Sequence, residues 1–184
     1  MLTSTRRRIT LLDLLMLIAA TAVGLTLLRI SIKGMQDLPL ARSAGALAAS
    51  RITAGQTYAS CFLAPWSLAL LALDLRGSRT SLQRAERGPG FIACAAATTG
   101  VALYLVACSI QFAMGRLSLS PAALWRITSA FVNSAALMVA GAWLSLVLDS
   151  RWRAETNWIG WAGRVVGFGW IGCHLLTWLR IAVF

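Results

Sequence analysis

Five stretches of this chain are almost free of charge, and each is long enough to cross a lipid bilayer. Between Arg8 and Arg29 only Asp13 is charged. No charge at all falls between Arg51 and Asp74, between Arg87 and Arg116, or between Arg126 and Asp149. Between Glu155 and Arg180 only Arg164 intervenes. A helix needs about 20 apolar residues to span the hydrocarbon core. Each interval reaches that length. Only helices and closed barrels satisfy their backbone hydrogen bonds in lipid, and these runs lack the two-residue alternation of a barrel strand. The expected fold is therefore all-α, an integral membrane bundle of about five transmembrane helices in one domain over residues 1–184. The spans are expected near residues 9–28, 54–74, 91–114, 127–148 and 158–179.

Composition agrees with this reading. The 184 residues are 58% hydrophobic and 12% charged, against roughly 25% charged in soluble domains. A soluble chain this short could not bury so much apolar surface. Lysine and arginine total 17 against 6 acidic residues. The arginines stand in the gaps between apolar runs rather than on one arm or face. That placement fits membrane topology and excludes nucleic acid as the expected partner. Cys61, Cys94, Cys108 and Cys173 form no CxxC pair, and all lie inside apolar runs. They read as small core hydrophobes, not as a disulfide framework or a zinc site.

The stretch 34–54 admits two readings, an interfacial helix or part of one long tilted helix. Pro39 suits a first helical turn, and small residues follow in ARSAGALAAS (41–50). With five spans, Arg6, Arg7 and Arg8, the loop holding Arg76, Arg79, Arg84 and Arg87, and the pair Arg151 and Arg153 share one side. These nine basic residues face seven on the other side (Arg29, Lys33, Arg42, Arg51, Arg116, Arg126 and Arg180). The bias points to a cytoplasmic N-terminus, with Phe184 outside. Trp125, Trp152, Trp158 and Trp178 fall near span ends, where indole rings anchor at headgroup level.

The N-terminal segment RRRITLLDLLMLIAATAVG (6–24) carries several patterns. Its basic start, apolar run and Ala20-Thr21-Ala22 imitate a signal peptide, but the run continues to Leu28, longer than a usual h-region. The arginine triplet imitates a twin-arginine signal, which an apolar multi-pass passenger fits poorly. ITLLDLL (9–15) resembles the start of type IV prepilins through Ile9, Thr10, Leu11 and Asp13. That family carries a small residue where Arg8 stands, so the resemblance implies a start that is not processed. Residues 1–28 are accordingly expected to remain in the chain. The local physical reading is a capping box: Thr10 caps a helix and Asp13 answers three residues later. More broadly, the TLLDLL opening, RGPGFIACAA (87–96) and SRWRAETNWIGWAGRVVG (150–167) resemble uncharacterised small multi-pass membrane proteins of GC-rich bacteria. That resemblance implies no activity and no site residues.

Enzyme signatures such as HExxH, GxSxG and the P-loop do not occur. His174 is the one histidine, so a multi-histidine metal site is excluded, and haem ligation by His174 with Met114 or Met138 is a minor alternative. No cofactor is expected. Candidate functional residues are the polar groups inside the spans. Arg164 either snorkels to the interface or pairs with Asp149 or Asp74. Gln111, Asn133 and His174 are expected to hydrogen-bond between helices, with Gln111 and Asn133 at a shared depth in the hairpin of spans three and four. Gly160, Gly163 and Gly167 form a small face for close helix packing, within the chain or between copies. The expected function is a non-enzymatic scaffold or subunit of a larger membrane assembly, meeting the lipid bilayer and either a membrane-protein partner or itself. The alternatives are a small oligomeric transporter or channel-like protein, and a cofactor-binding or redox membrane protein.

Overall fold

In the computed structural model of the chain, the described residues are 10–36, 44–77, 88–115, 121–150, 152 and 157–183. They form five α-helices: α1 (Leu11–Gln36), α2 (Ala44–Gly77), α3 (Pro89–Ala113), α4 (Pro121–Leu148) and α5 (Trp158–Val183). Among the described residues there is no strand. By length and apolarity, Leu11–Lys33, Ala54–Arg76, Pro89–Ala113 and Ala130–Leu148 can each cross a membrane. The protein is an all-helical integral membrane protein.

The first helix starts as its sequence dictates. The Asp13 backbone N–H donates to Thr10 Oγ1 at 3.2 Å, and the Thr10 N–H donates to Asp13 Oδ2 at 3.1 Å. This reciprocal pair satisfies amides that the helix itself cannot. The last helix is capped by Asn157, whose Oδ1 accepts from the Gly160 N–H at 2.6 Å.

Helix α2 resolves the open question about residues 34–54 for Ala44 onward. Its 34 residues run without a break, about 51 Å at the usual rise. That exceeds the ~30 Å hydrocarbon core, so the helix extends beyond the apolar layer at its start. Residues 37–43, with Pro39, lie outside the described residues. Helix α1 likewise runs to Gln36, past the expected end at residue 28. Both helices outlast their apolar windows because hydrogen bonding continues after charge becomes affordable.

The helices alternate in direction. Thr21 meets Trp66 across α1 and α2, and Gly100 lies on Ala135 across α3 and α4. Ser67 meets Trp170, whereas Gln56 meets Thr177, so α2 and α5 are antiparallel. Gly90 lies on Gly160 and Gly163, and Ala93 on Gly167, so α3 and α5 are parallel. The starts of α1, α3 and α5 thus share one end of the bundle, here the A end. The other is the B end.

Helix α5 is not among the four windows above; it is rich in tryptophan and glycine and carries Arg164. Its packing nevertheless runs the depth of the bundle, from Gly160 against α3 to Thr177 against α2 and α4. Trp161 and Trp178 are both exposed and stand 17 residues apart, about 25 Å along the axis. That spacing is close to the ~30 Å thickness of a hydrocarbon core. Trp152 is exposed at the A end, Trp158 is half-buried there, and the side chain of Trp125 lies outside the described residues.

The core lies between α2, α3, α4 and α5. Leu70, Leu73, Ala97, Val132, Val139 and Trp170 are fully buried there. Helix α1 stands to one side, packed along α2. Its outward leucines and isoleucines, and those of the other helices, are exposed over the whole circumference. In water such a surface would be a liability, and in lipid it is the expected one.

Candidate functional site

The most concentrated polar chemistry within the apolar layer lies near the B end, where α2, α4 and α5 meet. Gln56 is buried, and its Nε2 donates to the Cys173 carbonyl at 2.6 Å and to Thr177 Oγ1 at 2.8 Å. The Thr177 hydroxyl can donate to Asn133 Oδ1 or to the Cys173 carbonyl, each at 3.3 Å. His174 Nδ1 lies 3.0 Å from the same Asn133 oxygen. Trp178 Nε1 lies 2.9 Å from His174 Nε2. An indole nitrogen can only donate, so His174 Nε2 accepts. The ring hydrogen then sits on Nδ1 and donates to Asn133. One neutral tautomer satisfies both contacts.

Sequence spacing explains the assembly. Cys173, His174, Thr177 and Trp178 follow the three- and four-residue steps of one helical face. They form a ladder on α5 that Gln56 meets from α2 and Asn133 from α4. Of the residues expected to share hydrogen bonds, the structure joins Asn133 and His174 and adds Gln56, Thr177, Cys173 and Trp178. It does not join Gln111. Gly100 lies on Ala135, so Asn133 falls level with about residue 102. Gln111 is nine residues further on, about 13 Å along the axis, and its side chain is exposed. The expected shared depth failed on the register of that hairpin.

At the A end the glycine face of α5 packs against α3 within the chain. A Cβ on Gly90 would overlap the carbonyl of Gly160, and one on Gly163 would stand 2.5 Å from the Gly90 oxygen. A Cβ on Gly167 would stand 2.6 Å from the Trp143 ring. Trp143 is buried, donates its indole N–H to the Pro89 carbonyl at 2.9 Å, and meets Phe168 and Trp152 edge-on.

Arg164 belongs to this aromatic cluster. Its guanidinium carbon lies 5.5 Å from the centroid of the Trp152 ring, within the range of a cation–π contact. Asp149 is exposed at the end of α4. Asp74 is half-buried, and the register that sets Ser67 against Trp170 carries it, two turns on, to the level of Arg164. Arg164→Leu and Asp149→Asn are therefore expected to be additive. Thermal melts of the two single variants and the double variant in detergent check this, with agreement within about 0.5 kcal/mol expected for uncoupled sites.

A crevice of about 220 Å³ opens toward the B end between α1 and α3, with α2 as its floor. Leu27 and Ser31 line it from α1, and Thr57, Ser60, Cys61 and Ala64 from one face of α2. Tyr104, Leu105 and Phe131 complete it from α3 and α4. All four cysteines are free thiols. The chain matches no protein-family model, no curated protein and no solved structure.

Proposed function

We propose that the chain is a non-enzymatic multi-pass protein of a bacterial cell membrane, acting as a scaffold or as a subunit of a larger membrane assembly. The observation that supports it best is how the polar groups inside the bundle are spent. Gln56, Thr177, Asn133 and His174 use their hydrogen bonds on one another, across three helices. Such a network fixes helix register and leaves a chemically plain exterior, as a structural subunit requires. His174 has both ring nitrogens engaged, so a redox or haem role for it would first have to break two contacts. Helix α1, packed along α2 and the least buried of the four candidate spans, offers an exposed apolar face to a membrane-protein partner or to a second copy.

Purification of the full chain in mild detergent, followed by mass spectrometry and size analysis, tests this reading. A partner membrane protein in fixed ratio, or a defined self-assembled state, is the expected result. A lone monomer that sheds all partners on extraction from its own membrane overturns it. The orientation proposed with it places the N-terminus and the 76–90 loop in the cytoplasm and Phe184 outside. Reporter fusions at those points are expected to show that pattern, and a cytoplasmic C-terminus would exclude five crossings.

A further inference from the structure

Helix α1 carries a pair of cations that a scaffold role leaves unused. Asp13, Ala20 and Gly24 are buried on its inner side, where Gly24 lies on Phe62 of α2. Arg29 stands nine residues beyond Ala20, and Lys33 nine beyond Gly24. Nine residues make about two and a half turns, so both cations point away from α2. Both are exposed. They continue an exposed outer stripe of Ile18, Ala22 and Leu25, set at three- and four-residue steps. Thr10, which caps the other end of the helix, stands 19 residues before Arg29. That is about 28 Å along the axis, close to the ~30 Å of a hydrocarbon core. A charge on a lipid-facing side reaches for the headgroups rather than staying in hydrocarbon. The outer side of α1 is therefore an apolar stripe that ends in two cations.

Among the described residues no carboxylate stands at the level of this pair. Asp13 lies in the first turn of α1, Asp74 in the last turn of α2, and Asp149 just after α4, so all three are at the A end. By sequence the B end carries Arg29, Lys33, Arg42, Arg51, Arg116, Arg126 and Arg180 against Asp37 alone. Like charges four residues apart repel and weaken a helix, and an anion held between them removes that repulsion. Arginine forks onto phosphate oxygens through two N–H groups, and lysine adds a compact charge. A second copy of the chain is a poor occupant. A twofold axis along the membrane normal would set these cations against their own image. A glycerophospholipid matches both parts of the stripe. Half of a hydrocarbon core is ~15 Å deep, about ten residues of helix, which is the reach from Arg29 inward to the level of Ile18 and Ala19.

We propose that the outer face of α1 near the B end binds one anionic glycerophospholipid, its phosphate held between Arg29 and Lys33 and one acyl chain lying inward over Leu25, Ala22 and Ile18. The lipid covers only the B half of that face and leaves the A half to a protein partner, so either can bind without the other. The full chain, stripped of lipid in detergent, is titrated separately with dioleoyl phosphatidylglycerol and with dioleoyl phosphatidylcholine. The two probes share their acyl chains and differ in net charge. Adducts are counted by native mass spectrometry. One saturable phosphatidylglycerol adduct per chain is expected, bound roughly tenfold or more tightly than phosphatidylcholine, as two cations near the surface imply. The double variant Arg29→Gln, Lys33→Gln should lose that preference. Arg51→Gln removes another exposed B-end cation, from α2, and should keep it. Both variants alter exposed side chains and should melt as wild type without lipid. Lys33 is the one lysine of the chain, so an amine-reactive reagent and peptide mapping read the site directly. Phosphatidylglycerol should slow its modification several-fold, and phosphatidylcholine should not. Equal binding of the two lipids, a preference that survives the double variant, or one that Arg51→Gln removes as fully, overturns the proposal. So does a co-purified membrane protein that shields Lys33 from the reagent and is lost from the double variant.

Discussion

Replacing Gly90 with alanine is expected to cost about 3 kcal/mol or more, the upper end of what overpacking does to a well-fitted core. The added carbon would occupy the space of the Gly160 carbonyl. That neighbour is helix backbone and cannot turn aside as a side chain could. Helices α3 and α5 would have to separate. Separation would also loosen Gly163 on Gly90, Gly167 on Ala93, and the Trp143 bond to the Pro89 carbonyl. Gly172→Ala is the matched control. Nothing lies within 4 Å of a Cβ at Gly172, so the change should be neutral or stabilise by up to ~1 kcal/mol through helix propensity alone. Thermal melts of both variants in one detergent read the contrast. Equal melting of the two variants would mean that the α3–α5 contact carries no stability.

Gly90 also shows what the sequence could and could not disclose. The glycine face of α5 was visible from its spacing, but its partner was not. RGPGFIACAA reads as a helix start, where a proline and a glycine already have a local reason to be present. Only the register of α3 on α5 reveals that Gly90 is there for closeness. The number of helices was legible for a simpler reason. The cost of charge in hydrocarbon is local, so charge-free intervals mark the helices one at a time. Helix ends were less legible, because a helix continues for several turns past the apolar layer, as α2 does from Ala44 to Ala54.

The polar site was half legible for related reasons. Asn133 and His174 stood out as polar groups within apolar runs. Gln56 did not, because it falls two residues inside an expected span end, where a polar side chain passes as interfacial. Thr177 did not, because threonine is nearly neutral in hydropathy and commonly bonds its own helix. Gln111 stood out as strongly as Asn133, yet it faces outward. Depth along one helix can be counted from sequence, but rotation about its axis and register against a neighbour cannot. The crevice left no mark in the sequence at all, since it is made by the offset of α1 from α3.

Replacing Asn133 with leucine is expected to cost about 2 kcal/mol, well above the ~0.6 kcal/mol average for a hydrogen bond between membrane helices. Its side-chain oxygen takes two donors, from His174 and Thr177. Its loss leaves His174 seeking a new acceptor in a medium that offers few, while Thr177 keeps the Cys173 carbonyl, and a donor left unsatisfied costs about 1–3 kcal/mol. Gln56→Leu should cost a comparable amount, since Thr177 then loses the donor that orients its hydroxyl. The two residues do not touch, yet they should be coupled, because Thr177 accepts from one and donates to the other. Removing the whole set is a different matter. With Gln56→Leu, Asn133→Leu, Thr177→Val and His174→Phe together, no partner within the set is left stranded, and Trp178 is exposed enough to find an interfacial acceptor. The quadruple variant should therefore melt closer to wild type than the sum of its single changes predicts. What it should lose is register. Crosslinks between cysteines placed on α2 and α5 near residues 56 and 177 should form at one spacing in the native chain and at several in the quadruple variant. Additive losses with a single crosslink pattern would show that these bonds act independently, with helix register set instead by the glycine face at the A end.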